Sequence, residues 1–168
     1  MKIDSKLNKH TDWLEVLKKS PIFNLSLSSK ELFHSNILSW MMNSYPKELG
    51  YLFSVYLKEK DLINFKIHEV SREKKNIDLS FKIGEKSFFI ENKVKSIPCE
   101  EQLIRYSKID EISKSEADVR CILLSLNVPR FFNGKPTIEL NGVEWSYMSY
   151  KDLIKEVLEP LTEQITNV

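Results

Sequence analysis

Residues 75–93 read KNIDLSFKIGEKSFFIENK, and this stretch predicts a β-hairpin. Apolar and polar residues alternate over 75–83, which is typical of a strand with one buried face. Gly84 and Glu85 then supply the turn, because glycine at the first central position suits a tight type II′ hairpin. Residues 86–93 form the second strand, so the sequence predicts two antiparallel strands joined by a two-residue turn.

The register of this hairpin brings three charged residues together. If residue 83 pairs with residue 86, Asp78 lies directly opposite Glu91, and the two-residue period of a strand adds Lys93 to the same face. Facing carboxylates have Cβ atoms only about 4.5–5.5 Å apart, which destabilises a hairpin unless a positive charge lies between them. A divalent cation is a natural partner, because carboxylate oxygens are the ligands that Mg²⁺ prefers. Lys93 would then orient or activate an attacking water or stabilise a developing phosphorane charge.

Two alternatives to this metal hypothesis stay open at the sequence level. A solvated hairpin with a surface pair between lysine and glutamate would show the same spacing, because charged residues are common on exposed strand faces. A three-residue turn would shift the register by one and separate Asp78 from Glu91.

Length and composition indicate an ordinary soluble protein. A chain of 168 residues, 42% apolar and 29% charged, is long enough for one domain with a proper core, so we expect a single domain over 1–168. The start lacks the apolar core of a signal peptide and no apolar run approaches a membrane span, which predicts a cytoplasmic protein with no membrane partner. Cys99 and Cys121 lack C-x-x-C spacing and the histidines are scattered, so reduced thiols are expected and zinc is disfavoured.

The net charge of +1 neither indicates nor excludes a nucleic-acid partner, because dedicated nucleic-acid binders usually carry a strong basic excess. Any contact with phosphate must therefore be local. Five lysines gather near the hairpin, although solvated strand faces often carry such groups. They are Lys74, Lys75, Lys82, Lys93 and Lys95.

Periodicity along the chain predicts alternating helices and strands without repeats or low-complexity linkers. Helices are expected near residue 13 and at about 30–44, 46–60, 98–112 and 150–164, the last capped by Ser149; strands are expected at 65–72, 75–83, 86–93, 119–126, 137–140 and 143–147. The strand, helix and strand within 87–126 form a βαβ unit, which predicts a mixed sheet with a right-handed crossover.

Glu31 lies in the first turn of the helix expected at 30–44. A helical wheel gives that helix a main apolar face, with Leu38 and Met42 flanking Glu31 on the other side. That main face comprises Phe33, Ile37, Trp40 and Met41. A carboxylate in partly buried surroundings needs a partner, which a metal site would provide. The motif from Ser28 to Glu31 also fits a capping box, and the two roles can coexist. For His34 and Ser35, structural roles are favoured over catalysis.

Gln102 is a further candidate, on the helix expected after Pro98. It shares a helix face with Tyr106, four residues on, and the short loop 94–97 would leave it near the carboxylates. There it could hold a water or a substrate phosphate. The alternative is a solvated helix surface carrying an ion pair between Glu101 and Arg105.

Taken together, these residues resemble the PD-(D/E)XK nuclease superfamily, whose core places an Asp on one strand and Glu-x-Lys on the next, followed by a helix. Here the core is Asp78 and Glu91-Asn92-Lys93. The chain is also similar to one branch in which E-L-F-H-S, here at 31–35, and I-E-N-K, here at 90–93, precede Q-L-I-R-Y, here at 102–106. The resemblance covers about residues 12–125, and the ordered set is more specific than the E-x-K core alone.

The resemblance implies an α/β, restriction-endonuclease-like three-layer core with a mixed central sheet flanked by helices. It implies a metal-dependent endo- or exonuclease in which Asp78 and Glu91 bind Mg²⁺ or Mn²⁺. In that enzyme Lys93 assists the attacking water, Glu31 adds a ligand and Gln102 supports the site. The expected partner is nucleic acid, with DNA favoured over RNA. Glu69, on the preceding strand, is a less favoured additional ligand.

The chain departs from the family pattern in two ways. Ile77 stands where the family name has proline, which leaves the carboxylate geometry intact. Branch members often continue beyond this length, so substrate-binding parts are missing or come from a second subunit, and a homodimer with a shared basic groove is one expectation. The alternative function is a catalytically weak or inactive nucleic-acid-binding or regulatory module on the same fold. A structural domain with surface carboxylates is the third hypothesis.

Overall fold

The computed structural model describes residues 33–94, 96–113 and 118–166, which form a mixed sheet with helices on both faces. Six strands are described: β1 (Ile67–Lys74), β2 (Ile77–Ile83), β3 (Lys86–Lys93), β4 (Val119–Ser125), β5 (Thr137–Leu140) and β6 (Val143–Ser149). Their order in the sheet is β1-β2-β3-β4-β6-β5. β3, β4 and β6 are parallel neighbours, whereas β1 with β2, β2 with β3 and β5 with β6 are antiparallel pairs. The predicted mixed sheet and the parallel pair of the βαβ unit are confirmed.

Helices precede β1, connect β3 to β4 and follow β6. They are α1 (Phe33–Ser44, as far as it is described), α2 (Pro46–Tyr56), α3 (Glu100–Tyr106), α4 (Asp110–Ser113), α5 (Tyr150–Asp152), a π-helical segment (Leu153–Leu158) and α6 (Glu159–Thr166). Short 3₁₀ turns lie at Lys60–Leu62 and Arg130–Phe132. Nowhere in the described ranges is a helix long and apolar enough to cross a membrane. The helix expected near residue 13 and the loop before Glu31 lie outside the described residues.

Two hydrophobic cores cover the two faces of the sheet. One core packs α1, α2, the π-helical segment and α6 against the sheet, and the other packs α3 and α4 against the opposite face. Successive side chains of β4 point to opposite cores: Ile122 and Leu124 belong to the first core, and Cys121 and Leu123 to the second. A central strand buried on both faces is typical of parallel sheets between helical layers. The three-layer α/β, restriction-endonuclease-like architecture is therefore confirmed.

The β2–β3 hairpin has the predicted register between Ile83 and Leu79, but the predicted direct pair of Asp78 with Glu91 is not part of the ladder. Pairing runs from Ile83 with Lys86 to Leu79 with Ile90, as a two-residue turn requires. Gly84 adopts a φ of +59°, the left-handed conformation that glycine reaches without steric cost. Turn chemistry encoded in four neighbouring residues thus fixes which side chains face each other along the paired part of the hairpin.

The sequence predicted the hairpin between β1 and β2 less accurately. β1 continues to Lys74, and the turn falls at Lys75 and Asn76, whose φ values are both positive, at 56° and 66°. Positive φ at both positions is typical of a type I′ turn, whose twist matches the strands it joins. The prediction of a strand starting at residue 75 was wrong because a lysine in this position gives no turn signal, and only Asn76 is a residue that favours it.

Three helices differ from those that the sequence predicts. The helix predicted at 98–112 is two helices, α3 and α4, separated around Ser107, whose hydroxyl donates to the Leu103 carbonyl at 3.0 Å and accepts from Trp145 Nε1 at 2.9 Å. The helix predicted at 46–60 stops at Tyr56, just before the left-handed Lys58. The last helix contains a π-helical segment that ends shortly before Pro160. Proline has no N–H to donate, and its ring would clash with a normal helical turn.

The buried face of α1 differs from the predicted one. Ser35, Leu38, Ser39 and Met42 are among its buried residues, whereas Phe33 on the predicted apolar face is 40% exposed. Apolar residues lie on every side of this helix, so hydrophobicity alone does not select a face. Contact with β1 and β2 selects the side with two serines, whose small side chains are compatible with close packing.

The capping prediction at the other end of the chain is confirmed, because Ser149 and Asp152 form a capping box. Both cysteines are free thiols, as expected.

Candidate active site

Asp78 lies where β2 departs from regular pairing with β3. Beyond the Leu79–Ile90 pair, the backbone N–H of Asn92 donates to Asp78 Oδ2 at 2.8 Å. Ile77 packs in the second core although Leu79, two residues on, packs in the first, so β2 rotates about its axis between them. In a regular ladder the Asn92 N–H would bond to the backbone of β2. Here it bonds to the Asp78 carboxylate instead, and this bond holds the carboxylate beside β3.

Glu91 is buried beside it, with its side chain only 2% exposed. Its Oε1 atom accepts two hydrogen bonds, from Lys93 Nζ at 2.8 Å and from Gln102 Nε2 at 2.9 Å. Its Oε2 atom is buried without a hydrogen-bond partner in the described part of the chain. One oxygen is thus fixed by the protein and the other is left unsatisfied, and a solvated surface hairpin is excluded.

Gln102 reaches Glu91 from α3, as its spacing predicted. The same Nε2 also donates to the Tyr106 hydroxyl at 2.6 Å, so both of its N–H groups are used. Burial and, next, the charge of Glu91 raise the pKa of Tyr106 to about 12, which keeps that hydroxyl protonated. The helix after the short loop therefore contributes a polar pair that contacts and orients the Glu91 carboxylate.

Burial and the charge of Asp78 disfavour the ionised form of Glu91. Burial and then the charge of Asp78 raise the pKa of Glu91 to about 7, against the opposing effect of Lys93. Burial also raises the pKa of Asp78, although the Asn92 N–H and the Lys93 charge oppose that change. Lys93 thus does not fully compensate the buried Glu91 and the half-buried Asp78, and the site would accept further positive charge.

Asn92 connects this site to the opposite face of the sheet, and sequence reasoning assigned it no role. Its side-chain Oδ1 accepts from the Tyr150 hydroxyl at 2.5 Å, and its Nδ2 donates to Ser35 Oγ at 3.4 Å. Strand alternation does predict that Asn92 points away from Glu91 and Lys93. Nothing local to Tyr150 indicates this contact, because the two residues are 58 positions apart. Ser35 has a structural role, as expected.

Two sequence candidates are not in this cluster. Glu31 lies outside the described residues, so its predicted contribution stays a prediction. Glu69 was suggested wrongly as an additional ligand: it forms an ion pair with Lys82 at 2.9 Å, four residues along β2 from Asp78, which corresponds to roughly 13 Å of strand. A positive φ of 50° at Glu69, within the β-bulge of β1, accompanies this placement.

The donor set fits a small, hard cation. Across the three described stretches, no group of three or more His, Cys, Asp and Glu side chains could hold a metal ion. Mg²⁺, however, commonly takes only one or two protein carboxylates and keeps several waters. Within the described ranges, Glu91 Oε2 has no hydrogen-bond partner, and the charge of Asp78 acts on the same carboxylate, so such an ion would satisfy both.

Comparison with known proteins gives the chain a family. The sequence model of the PD-(D/E)XK nuclease superfamily matches residues 21–168, which extends past the region in which the resemblance was inferred from motifs. No curated protein and no solved structure matches the chain. The match covers most of the chain, including the hairpin with Asp78 and Glu91 and the helix with Gln102. The chain therefore belongs to the PD-(D/E)XK nuclease superfamily.

Proposed function

We propose that this protein is a divalent-metal-dependent nuclease that hydrolyses phosphodiester bonds of DNA, with RNA as the second substrate to test. The observation that carries the proposal is the buried Oε2 atom of Glu91, which has no hydrogen-bond partner among the residues that the structure describes, in a carboxylate that contacts Lys93 and is affected by the charge of Asp78. An unpaired charge in a protein interior is strongly unfavourable unless a counter-charge or a hydrogen bond compensates it. A bound cation would compensate both the burial of Glu91 and its repulsion from Asp78.

In this proposal Asp78 and Glu91 hold Mg²⁺ or Mn²⁺, and Glu31 is a candidate third ligand. When bound, such an ion supplies Lewis-acid stabilisation of phosphoryl oxygens and lowers the pKa of a coordinated water. Hydrolysis joins a water oxygen to phosphorus and breaks one phosphoester bond. Carboxylates held in fixed positions favour this chemistry because the metal site need not reorganise during the reaction.

Lys93 has the geometry to act on the attacking water or on the phosphate. Its ammonium group has three N–H donors, of which one binds Glu91 Oε1, so two others can bind a water and a non-bridging phosphate oxygen. Its side chain is 16% exposed, which gives it access to solvent and to a substrate. We therefore assign Lys93 to orienting the water and stabilising negative charge in the transition state.

Gln102 and Asn92 are positioning residues in this proposal. Gln102 occupies Glu91 Oε1 together with Lys93, which directs Oε2 to the cation. The Asn92 backbone N–H occupies Asp78 Oδ2. Each carboxylate thus has one oxygen held by the protein, and the pair is arranged before a cation arrives.

The test is cleavage of single- and double-stranded DNA and RNA by the full chain in Mg²⁺, in Mn²⁺ and in EDTA. We expect metal-dependent cleavage that falls at least about a hundredfold in Asp78→Asn, Glu91→Gln and Lys93→Met, as is typical when a preorganised charge is removed. Glu69→Gln is the matched control, because it removes a carboxylate outside the cluster, and it should cleave like wild type. Unchanged cleavage in all three site variants would refute the assignment.

Metal binding gives a readout that is independent of activity. Calorimetric titration with Mn²⁺ should show binding to wild type and to Glu69→Gln but not to Asp78→Asn. Metal binding without cleavage of any substrate would favour the alternative of an inactive nucleic-acid-binding module. Absence of Mn²⁺ binding to the wild type would contradict the metal site itself.

A further inference from the structure

A groove of about 540 Å³ opens beside Lys93, at the carboxyl ends of the parallel strands β3 and β4. One wall comes from the loop after β3, including Ile97 and Pro98, and the other from residues 125–131, after β4. The carboxyl ends of parallel strands are where open α/β sheets usually bind ligands. A volume within the range of about 300–1,000 Å³ is typical of sites for small ligands or single chemical groups.

The groove combines apolar walls with positive charge. Ile97, Leu126 and Val128 line it while being 90%, 56% and 52% exposed, which is unusual for three neighbouring aliphatic residues. Lys93 and Arg130 also line it, and no carboxylate does among its described lining residues. Apolar surface with cations and without acidic groups is complementary to a ligand that has both flat apolar faces and negative charge.

We propose that this groove binds an unpaired nucleotide of the DNA strand that the neighbouring site cleaves. The base would lie between the apolar walls and against the half-buried ring of Phe131, and the adjacent phosphates would contact Lys93 and Arg130. Bases stack on aromatic side chains in this way irrespective of sequence, and lysine and arginine follow the backbone. Lys93 both lines the groove and binds Glu91, so a nucleotide here adjoins the carboxylates.

This inference rests on the proposed function and narrows its substrate. A base held between two protein walls cannot remain stacked and paired in a duplex, because entry requires the nucleotide to leave the helix. The groove therefore favours single-stranded DNA, or the frayed end of a duplex, over intact paired DNA.

The main test compares two exposed aliphatic residues replaced by the same charge. Val128→Glu introduces a carboxylate into the groove, and Ile154→Glu does so on the π-helical segment, at a residue that is 45% exposed. Binding of a short fluorescein-labelled single-stranded oligodeoxynucleotide is followed by fluorescence anisotropy in EDTA, beside a blunt duplex of the same sequence. We expect Val128→Glu to weaken single-strand binding about tenfold or more and Ile154→Glu to leave it within about twofold.

A second pair of variants tests the stacking and phosphate contacts. An oligonucleotide of the same length that carries abasic sites at every position should bind wild type more weakly than the intact strand, and Phe131→Ala should lose that difference. Arg130→Gln should reduce the salt dependence of binding by about one phosphate contact, whereas Lys155→Gln, exposed on the π-helical segment, should not. Thermal unfolding of each variant verifies that it is folded.

The outcomes separate this inference from the proposed function. Equal single-strand binding by Val128→Glu and Ile154→Glu, or tighter binding of the blunt duplex than of the single strand, would overturn the groove assignment even if metal-dependent cleavage depends on Asp78 and Glu91. Groove-dependent binding without any cleavage would support the groove and refute the nuclease.

Discussion

The charge of Glu91 should destabilise the metal-free protein, and its removal should stabilise the fold. We predict that Glu91→Gln unfolds at a higher temperature than wild type at pH 8 in EDTA. The reason is that the Glu91 side chain is 2% exposed, is repelled by the charge of Asp78 and has one oxygen with no hydrogen-bond partner among the described residues. Glutamine has nearly the same shape and carries no charge, so it imitates the protonated glutamate at every pH.

The magnitude follows from the pKa of Glu91. Its ordinary value of 4.5 is raised to about 7, and at 1.36 kcal/mol for each tenfold change this corresponds to about 3 kcal/mol. A folded-state pKa above the unfolded one means that the folded protein binds the proton more tightly. The stabilisation is therefore complete below about pH 4.5 and is lost as the pH rises through about 7. For a chain of this length, about 3 kcal/mol corresponds to roughly 6–12 °C in Tm.

The assay is thermal unfolding of wild type and Glu91→Gln in EDTA at several pH values between 5 and 8. The two proteins should have similar stability near pH 5, and the variant should be the more stable one at pH 8. Saturating Mn²⁺ should then raise the Tm of wild type but not of the variant. A variant that is less stable than wild type at pH 8 in EDTA would refute the argument, because ionised Glu91 would then be a stabilising partner of Lys93.

Glu59 provides a control, because we expect its replacement to change the Tm in the opposite direction. Its side chain is also buried, at 11% exposure, but its two oxygens pair with Lys86 at 2.6 Å and Arg120 at 2.7 Å. Lys86 and Arg120 also pair with Asp118, at 2.6 Å and 3.0 Å, so removing the Glu59 carboxylate weakens this network and costs less than the about 3–5 kcal/mol of a fully broken buried pair. Glu59→Gln should therefore lower the Tm at pH 8, so the sign of the change distinguishes a compensated carboxylate from an uncompensated one.

Three further predictions concern other contacts. Lys93→Met should bind Mn²⁺ at least as tightly as wild type in calorimetry, because it removes a positive charge from the site, while cleavage falls at least about a hundredfold. Tyr150→Phe should lower the cleavage rate about tenfold and stability by only about 1 kcal/mol, measured by kinetics and denaturant unfolding, because it removes the hydrogen bond to Asn92. Gly50→Ala should destabilise the protein by about 3 kcal/mol in denaturant unfolding, because the new Cβ would lie 2.4 Å from the Phe65 carbonyl oxygen.

Local signals account for the parts of the site that the sequence predicted. Gly84 fixes the turn, the turn fixes the register, and strand alternation then places Glu91 and Lys93 on one face of β3. Asp78 reaches the same site through its hydrogen bond with the Asn92 N–H, which alternation does not predict. Gln102 follows from a helix that starts after a short loop. Each step depends on residues close together in the chain, for which propensity and periodicity are informative.

Packing between distant elements determines the rest, and here the sequence was less informative. The buried face of α1 was predicted from hydrophobicity, yet the sheet contacts the side with Ser35 and Ser39. Tyr150 contacts Asn92 only because the last helical segment packs on the same side of the sheet as α1. Such contacts depend on how the helices and the sheet pack against each other, and no short stretch of sequence predicts that packing.

Asn92 shows why these distant contacts matter for chemistry. Its backbone N–H holds Asp78 on one face of β3, while its side chain is held by Ser35 and Tyr150 on the other. A shift of α1 or of the last helical segment would therefore turn Asn92 and move Asp78 relative to Glu91. Two repelling carboxylates stay in place only if the surrounding structure fixes their geometry more strongly than their repulsion opposes it. The layer formed by α1 and the last helical segment, which carries no proposed ligand in its described residues, thus holds the carboxylate pair in the arrangement that a cation requires.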